Sequence, residues 1–186
     1  MLRTMRLRSL LLLLSVTPLL AACSDDFTNK WDVFVDSVSL YSASRPELIG
    51  RNSAYDFADG IPFPVETPGI TGRWDVALTD VNGGLALLPV SSFPGLDTRA
   101  GIATIGNRTL EEVTSAPSDT SLYTRAAVTM QVGTVYVIRT RRIDCGGITG
   151  VRYGKFEPLE IDVANGILRF RSIVNPFCNN RRLIPD

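Results

Sequence analysis

Arg73-Trp74-Asp75-Val76-Ala77-Leu78-Thr79 places Trp74, Val76 and Leu78 on one face and Arg73, Asp75 and Thr79 on the other. That alternation is the period of a half-buried β-strand. Asn82-Gly83-Gly84 follows, and residues 85–90, Leu-Ala-Leu-Leu-Pro-Val, return as an apolar run. Asn-Gly accepts the positive backbone dihedrals that a tight hairpin turn demands. The stretch therefore reads as a β-hairpin, and its grammar repeats along the chain.

Working outward, residues 31–41 alternate with a change of phase: Trp31, Val33 and Val35 share one face, Val38 and Leu40 the other. A phase change inside such a run predicts a bulge or bend. Residues 45–72 carry Pro46, Pro62, Pro64 and Pro68, so they read as loop with one short strand at 55–58. Shorter elements are expected at 102–105 and 110–113. Residues 122–131 alternate and residues 134–142 are β-branched, with Gly133 turning the chain between them. Residues 151–163 continue the pattern, with Pro158 predicting an edge or a break. Asn165-Gly166 signals a second hairpin, with residues 167–174 returning. No stretch sustains a capped helical period. Strands broken by turns at this spacing predict an all-β fold, an antiparallel sandwich or barrel-like sheet with long loops and at most one short helix.

The N-terminus has a different character. Arg3, Arg6 and Arg8 precede an apolar stretch over residues 10–20, and Ala21, Ala22 and Cys23 follow. An apolar run of about 11 residues falls short of the roughly 20 needed to span a bilayer, so it reads as an export signal. The tetrad Leu20-Ala21-Ala22-Cys23 resembles the lipobox of bacterial lipoproteins. That resemblance implies diacylglyceration of the Cys23 thiol, cleavage before it, and acylation of the new amino group. Two or three chains on one residue hold firmly, since each buried methylene contributes about 0.8 kcal/mol. Ser24 in place of an aspartate points to the outer membrane in a diderm envelope. The expected organisation is a signal peptide over 1–22, a lipidated cysteine with a polar tether over 23–30, and a single β-domain over 31–186.

Composition excludes several chemistries. The 186 residues balance 19 basic against 19 acidic side chains. Losing Arg3, Arg6 and Arg8 with the signal leaves 16 basic against 19 acidic, a net charge of −3. This argues against nucleic acid as a partner. The chain contains no histidine. Histidine-based nucleophile systems, neutral-pH imidazole bases and histidine metal sites are thereby removed, and no cofactor is expected.

Three groups of residues remain as candidates. Cys145 and Cys178 are an even pair once Cys23 is lipidated, and in an oxidising compartment they read as a disulfide. Arg139, Arg141, Arg169 and Arg171 alternate in two strands. On neighbouring strands their guanidiniums would share a face able to hold an anionic ligand or a partner; otherwise they form a solvated face paired with Glu157, Glu160 or Asp162. Asp32, Asp36, Asp75 and Asp80 are the candidates for a hydrolase pair, but no motif singles out two of them.

Two segments resemble the HmuY-like family of haem-binding bacterial lipoproteins. Trp74-Asp75-Val76-Ala77-Leu78 with Asn82-Gly83-Gly84 looks like the family's Trp-Asp-apolar-Ala strand and its turn. Tyr136-Val137-Ile138-Arg139-Thr140, then Tyr153-Gly154-Lys155 and a hairpin ending in Phe170, is similar to its final strands. The resemblance implies an all-β lipoprotein. The chain departs from it by a loop bearing Cys145, by the absent histidine haem ligands, and by Met130 being the sole methionine outside the signal. The expectation is thus a non-enzymatic, lipid-anchored β-domain on the extracytoplasmic side of the cell envelope. It would touch membrane lipid through Cys23 and bind a small ligand or an envelope protein. The alternatives are a structural or assembly accessory of an envelope complex and, third, a carboxylate-based hydrolase.

Overall fold

The computed structural model describes residues 31, 36–96 and 99–185. The expected signal, Cys23 and the tether lie outside the described residues, as do Asp32, Val33 and Val35. Twelve strands run in chain order: β1 (Asp36–Tyr41), β2 (Ala54–Asp56), β3 (Ile61–Phe63), β4 (Val76–Val81), β5 (Gly84–Pro89), β6 (Gly101–Gly106), β7 (Val128–Thr129), β8 (Val135–Arg139), β9 (Ile143–Asp144), β10 (Thr149–Gly150), β11 (Tyr153–Asp162) and β12 (Ile167–Val174). Only three single 3-10 turns interrupt them among the described residues, and no helix there is long and apolar enough to cross a membrane.

The strands form two antiparallel five-stranded sheets and a small ribbon. The first sheet has the order β1-β12-β11-β8-β6, the second β3-β2-β4-β5-β7, and β9 pairs with β10. The two sheets remain separate and share one core. Val38, Leu40, Tyr136, Ile138, Phe156, Leu168 and Phe170 of the first meet Tyr55, Val76, Leu78, Leu85 and Leu87 of the second. Rings of Tyr55, Phe57, Phe156 and Phe170 pack edge-on or tilted at 4.7–5.9 Å in its middle. The fold is an all-β sandwich.

Loops cover the outer faces of both sheets. Val135 and Val137 of β8 point away from the shared core and pack with Leu110, Val113, Tyr123 and Leu183. Every residue of β8 is therefore buried, because the strand is central and covered on both faces. The tail closes this layer: Leu183 N–H donates to Thr114 O at 2.8 Å, and Ala116 N–H to Arg181 O at 2.7 Å. On the second sheet Ala54 and Ala77 pack under Ile70, Trp74, Val90 and Ala100.

Local chemistry accounts for the turns. Asn82 and Gly83 take φ of 51° and 79° and close β4 onto β5 in register from Val81↔Gly84 to Val76↔Pro89. The β11–β12 turn instead uses Asp162, whose carboxylate accepts from Asn165 N at 3.0 Å and Asn165 Nδ2 at 2.7 Å. Pro158 lies in a central strand, and the register shifts between Pro158 and Glu160. A bulge is where a ladder tolerates a residue without an N–H.

Several sequence expectations are corrected. The strand expected from Arg73 begins at Val76, so Trp74 lies in the outer cluster and not beside Val76 and Leu78. Of residues 122–131 only β7 is a strand; Leu122 ends a 3-10 turn with its side chain exposed. Residues 110–112 are turn and 113 is irregular, with Leu110 and Val113 buried under the tail. The loop over 45–72 holds two short strands, β2 and β3, where one was expected.

Candidate functional site

The four arginines of the sequence pattern occupy three different environments. Arg169 and Arg171 point outward from β12 and meet carboxylates: Arg169 pairs with Glu160 at 3.5 Å, and Arg171 with Glu111 at 3.2 Å and with Glu157. β11 intervenes between β12 and β8, so these two do not join Arg139.

Arg141 lies just past the end of β8 and turns toward the second sheet. Its two terminal nitrogens donate to the two oxygens of Asp56, each at 2.7 Å. Asp75 stands beside this pair, accepting from Arg141 N at 2.6 Å, Phe57 N at 2.8 Å and Arg141 Nη1 at 3.4 Å. Asp56 also accepts from Ala58 N at 2.9 Å. Both carboxylates are buried. Burial pushes the Asp75 carboxyl up to about 7, against the pull of the Arg141 guanidinium, with Asp56 adding to the rise. The trio ties the sheets together and its acceptors are occupied.

Asp80 has a comparable role at the opposite end of β4. It accepts from Arg45 Nη2 at 2.6 Å, Ser42 Oγ at 2.5 Å and Ser44 Oγ at 2.9 Å. The Arg45 hydrogen bond holds its carboxyl well below the usual carboxylate range. Arg45 continues to Val163 O and Ala164 O in the β11–β12 turn. Of the other candidate acids, Asp36 opens β1 and Asp32 lies outside the described residues.

Arg139 is different. It ends β8 on the outer face and is 7% exposed. Its Nε donates to Arg99 O at 2.8 Å, and its guanidinium lies 4.9 Å from the centre of the Tyr123 ring. That stacking is worth about 0.5–2 kcal/mol. No carboxylate pairs with Arg139 among the described residues. Burial lowers its pKa, the hydroxyls of Tyr153 and Tyr123 oppose that, and the charges of Arg125 and Arg99 add to the lowering. A buried cation with no carboxylate partner among the described residues is costly for a fold.

Arg139 opens onto a cavity of about 400 Å³. Arg99, Arg142, Thr149, Tyr153 and Asn179 line it with Arg139, and no acid does so among the described residues. The floor is built rigidly. Cys145 and Cys178 stand at disulfide distance, their Cα atoms 6.1 Å apart, joining the β9–β10 ribbon to the tail. Asn179, next to Cys178, adopts φ of 59°, donates its N–H to Val151 O at 2.7 Å and accepts from Val151 N at 3.2 Å. Gly150 fits because it lacks a side chain: a Cβ there would lie 2.7 Å from Cys145 Sγ. Guanidiniums with a fixed Asn, Thr and Tyr offer charge-assisted and neutral donors to an anion.

No family model, curated protein or solved structure matches this chain. The candidate site therefore rests on its own geometry. The sequence pattern pointed to Arg139 but not to Arg99, Arg142, Tyr153 or Asn179. Arg99 and Asn179 come from loops far from β8 in the chain, and no periodicity connects them.

Proposed function

We propose that this chain is a lipid-anchored, extracytoplasmic β-domain of the bacterial cell envelope that binds an anionic small ligand without transforming it. The Leu20-Ala21-Ala22-Cys23 tetrad and the apolar run before it support the anchor and the compartment. The observation that carries the binding reading is Arg139: a buried guanidinium without a carboxylate partner among the described residues, facing a cavity whose described lining adds Arg99 and holds no acid. An entering carboxylate or phosphate would supply the missing negative charge. Each charge-assisted hydrogen bond it formed would contribute about 1.5–3 kcal/mol.

The test is calorimetric titration of the purified protein with inorganic phosphate and with citrate, alongside Arg139→Gln. The wild type is expected to bind at one site and to melt higher with ligand, since binding to the native state alone raises stability by mass action. Arg139→Gln is expected to weaken binding at least about tenfold, the equivalent of about 1.4 kcal/mol. Equal binding by both proteins, or none by the wild type, would refute the reading.

A further inference from the structure

A second and larger cavity, of about 980 Å³, adjoins the first. Arg108, Arg181, Arg182 and Glu112 are the charged residues of its lining. Asn179 lines both cavities. The charges of the two linings also share a neighbour. Tyr123, over whose ring Arg139 lies, feels the field of Arg181 as well as that of Arg139. Glu112, the one acid in the larger lining, is already engaged: its Oε2 accepts from Thr109 N at 2.8 Å while its own N–H donates to Thr109 Oγ1 at 3.3 Å. Arg99, Arg108, Arg139 and Arg181 pair with no carboxylate among the described residues. A protein with equal numbers of acids and bases overall thus concentrates unpaired arginines along one track.

We infer that the two cavities form one continuous binding track for a linear polyanion, an acidic polysaccharide whose successive charged groups sit on the Arg99–Arg139 side and the Arg108–Arg181 side of Asn179. The inference rests on the reading of the Arg139 cavity as an anion site. Two separated cationic pockets fit a chain with repeating charges better than a single compact anion, because the second contact forms at the high effective concentration set by the first. Besides its arginines the larger lining offers Thr114, Ser115, Ser118 and Asn180, hydroxyls and amides suited to sugar hydroxyls. A single-stranded nucleic acid would require a run of rings for base stacking, and neither lining contains more than Tyr153.

The test compares sulfated dextran with inorganic sulfate, neutral dextran and oligothymidylate on the full protein. Sulfated dextran is expected to bind at least about tenfold tighter than inorganic sulfate, the gain of a second contact, and neutral dextran not at all. Arg108→Gln with Arg181→Gln is expected to remove that excess. It should also reduce the slope of log affinity against log salt by about two, one for each lost contact. A control carrying Arg51→Gln and Arg73→Gln, which removes two exposed charges elsewhere, is expected to keep the excess. Loss of the excess in the control, no excess in the wild type, or tighter binding of oligothymidylate would each overturn the inference. Inorganic sulfate binding that persists in those cases would leave the Arg139 reading standing, while its absence would remove both.

Discussion

Arg141 and Asp56 are 85 residues apart in the chain and joined by two parallel hydrogen bonds of 2.7 Å. Arg141 lies two residues past the end of a central strand in one sheet, and Asp56 ends a strand of the other, so the fork and the carboxylate clamp the end of the sandwich. A bidentate pair of this kind specifies geometry as well as energy. Its removal on one side is costly, because the partner charge remains buried.

Arg141→Met is accordingly expected to destabilise the protein by about 3–5 kcal/mol near neutral pH. Asp56 and Asp75 would then be two buried carboxylates without a cation. Denaturant unfolding followed by far-UV circular dichroism measures this, and a loss under about 1 kcal/mol would reduce the clamp to the weight of a surface ion pair.

Asp75 gives the stability a specific dependence on pH. Its carboxyl ionises near 3.8 in the unfolded chain and near about 7 in the folded one. Between those values the folded state holds the extra proton, so stability falls as pH rises through the window and levels off above it. Asp80, held low by Arg45, acts in the opposite direction and at lower pH: its contribution is present above the ordinary carboxylate value and is lost as pH falls below it. Asp75→Asn is expected to flatten the decline between about pH 4 and 7 while leaving the acid limb intact. An unchanged decline in the variant would exclude Asp75 as its source.

Cys145 and Cys178 close a loop over a sequence separation of 33 residues. In the chain-entropy account such a bridge contributes about 3–4 kcal/mol. Cys145→Ser with Cys178→Ser is therefore expected to lower the melting temperature clearly, and anion affinity should fall with it, because Asn179 is held beside the bridge. Differential scanning calorimetry and phosphate titration read the two effects. Identical melting of the oxidised and doubly substituted proteins would contradict the first.

Cys23→Ser is expected to release or mislocalise the protein while leaving the β-domain folded, since the residue precedes every described strand. Membrane fractionation with mass spectrometry of the N-terminus decides it. A mature, cleaved and still membrane-bound variant would sink the lipid anchor.

The sequence by itself determined the fold class, the turns and the strand faces wherever period and turn chemistry are local properties. Asn82-Gly83 closes its hairpin, residues 167–174 form β12, and Cys145 and Cys178 come within bridging distance. It misread Trp74, because alternation extends across a strand boundary without marking it, and residues 122–131, where an alternating pattern lies mostly in turn. It placed Arg139, Arg141, Arg169 and Arg171 in one pattern, yet their destinations depend on which strands neighbour each other. Only the tertiary structure decided that β11 separates β12 from β8, that Arg141 meets Asp56, and that Arg139 stands among Arg99, Tyr123 and Asn179. Periodicity records which way a side chain points from its own strand. The residues opposite it are fixed by strand order and loop packing, which are properties of the whole chain.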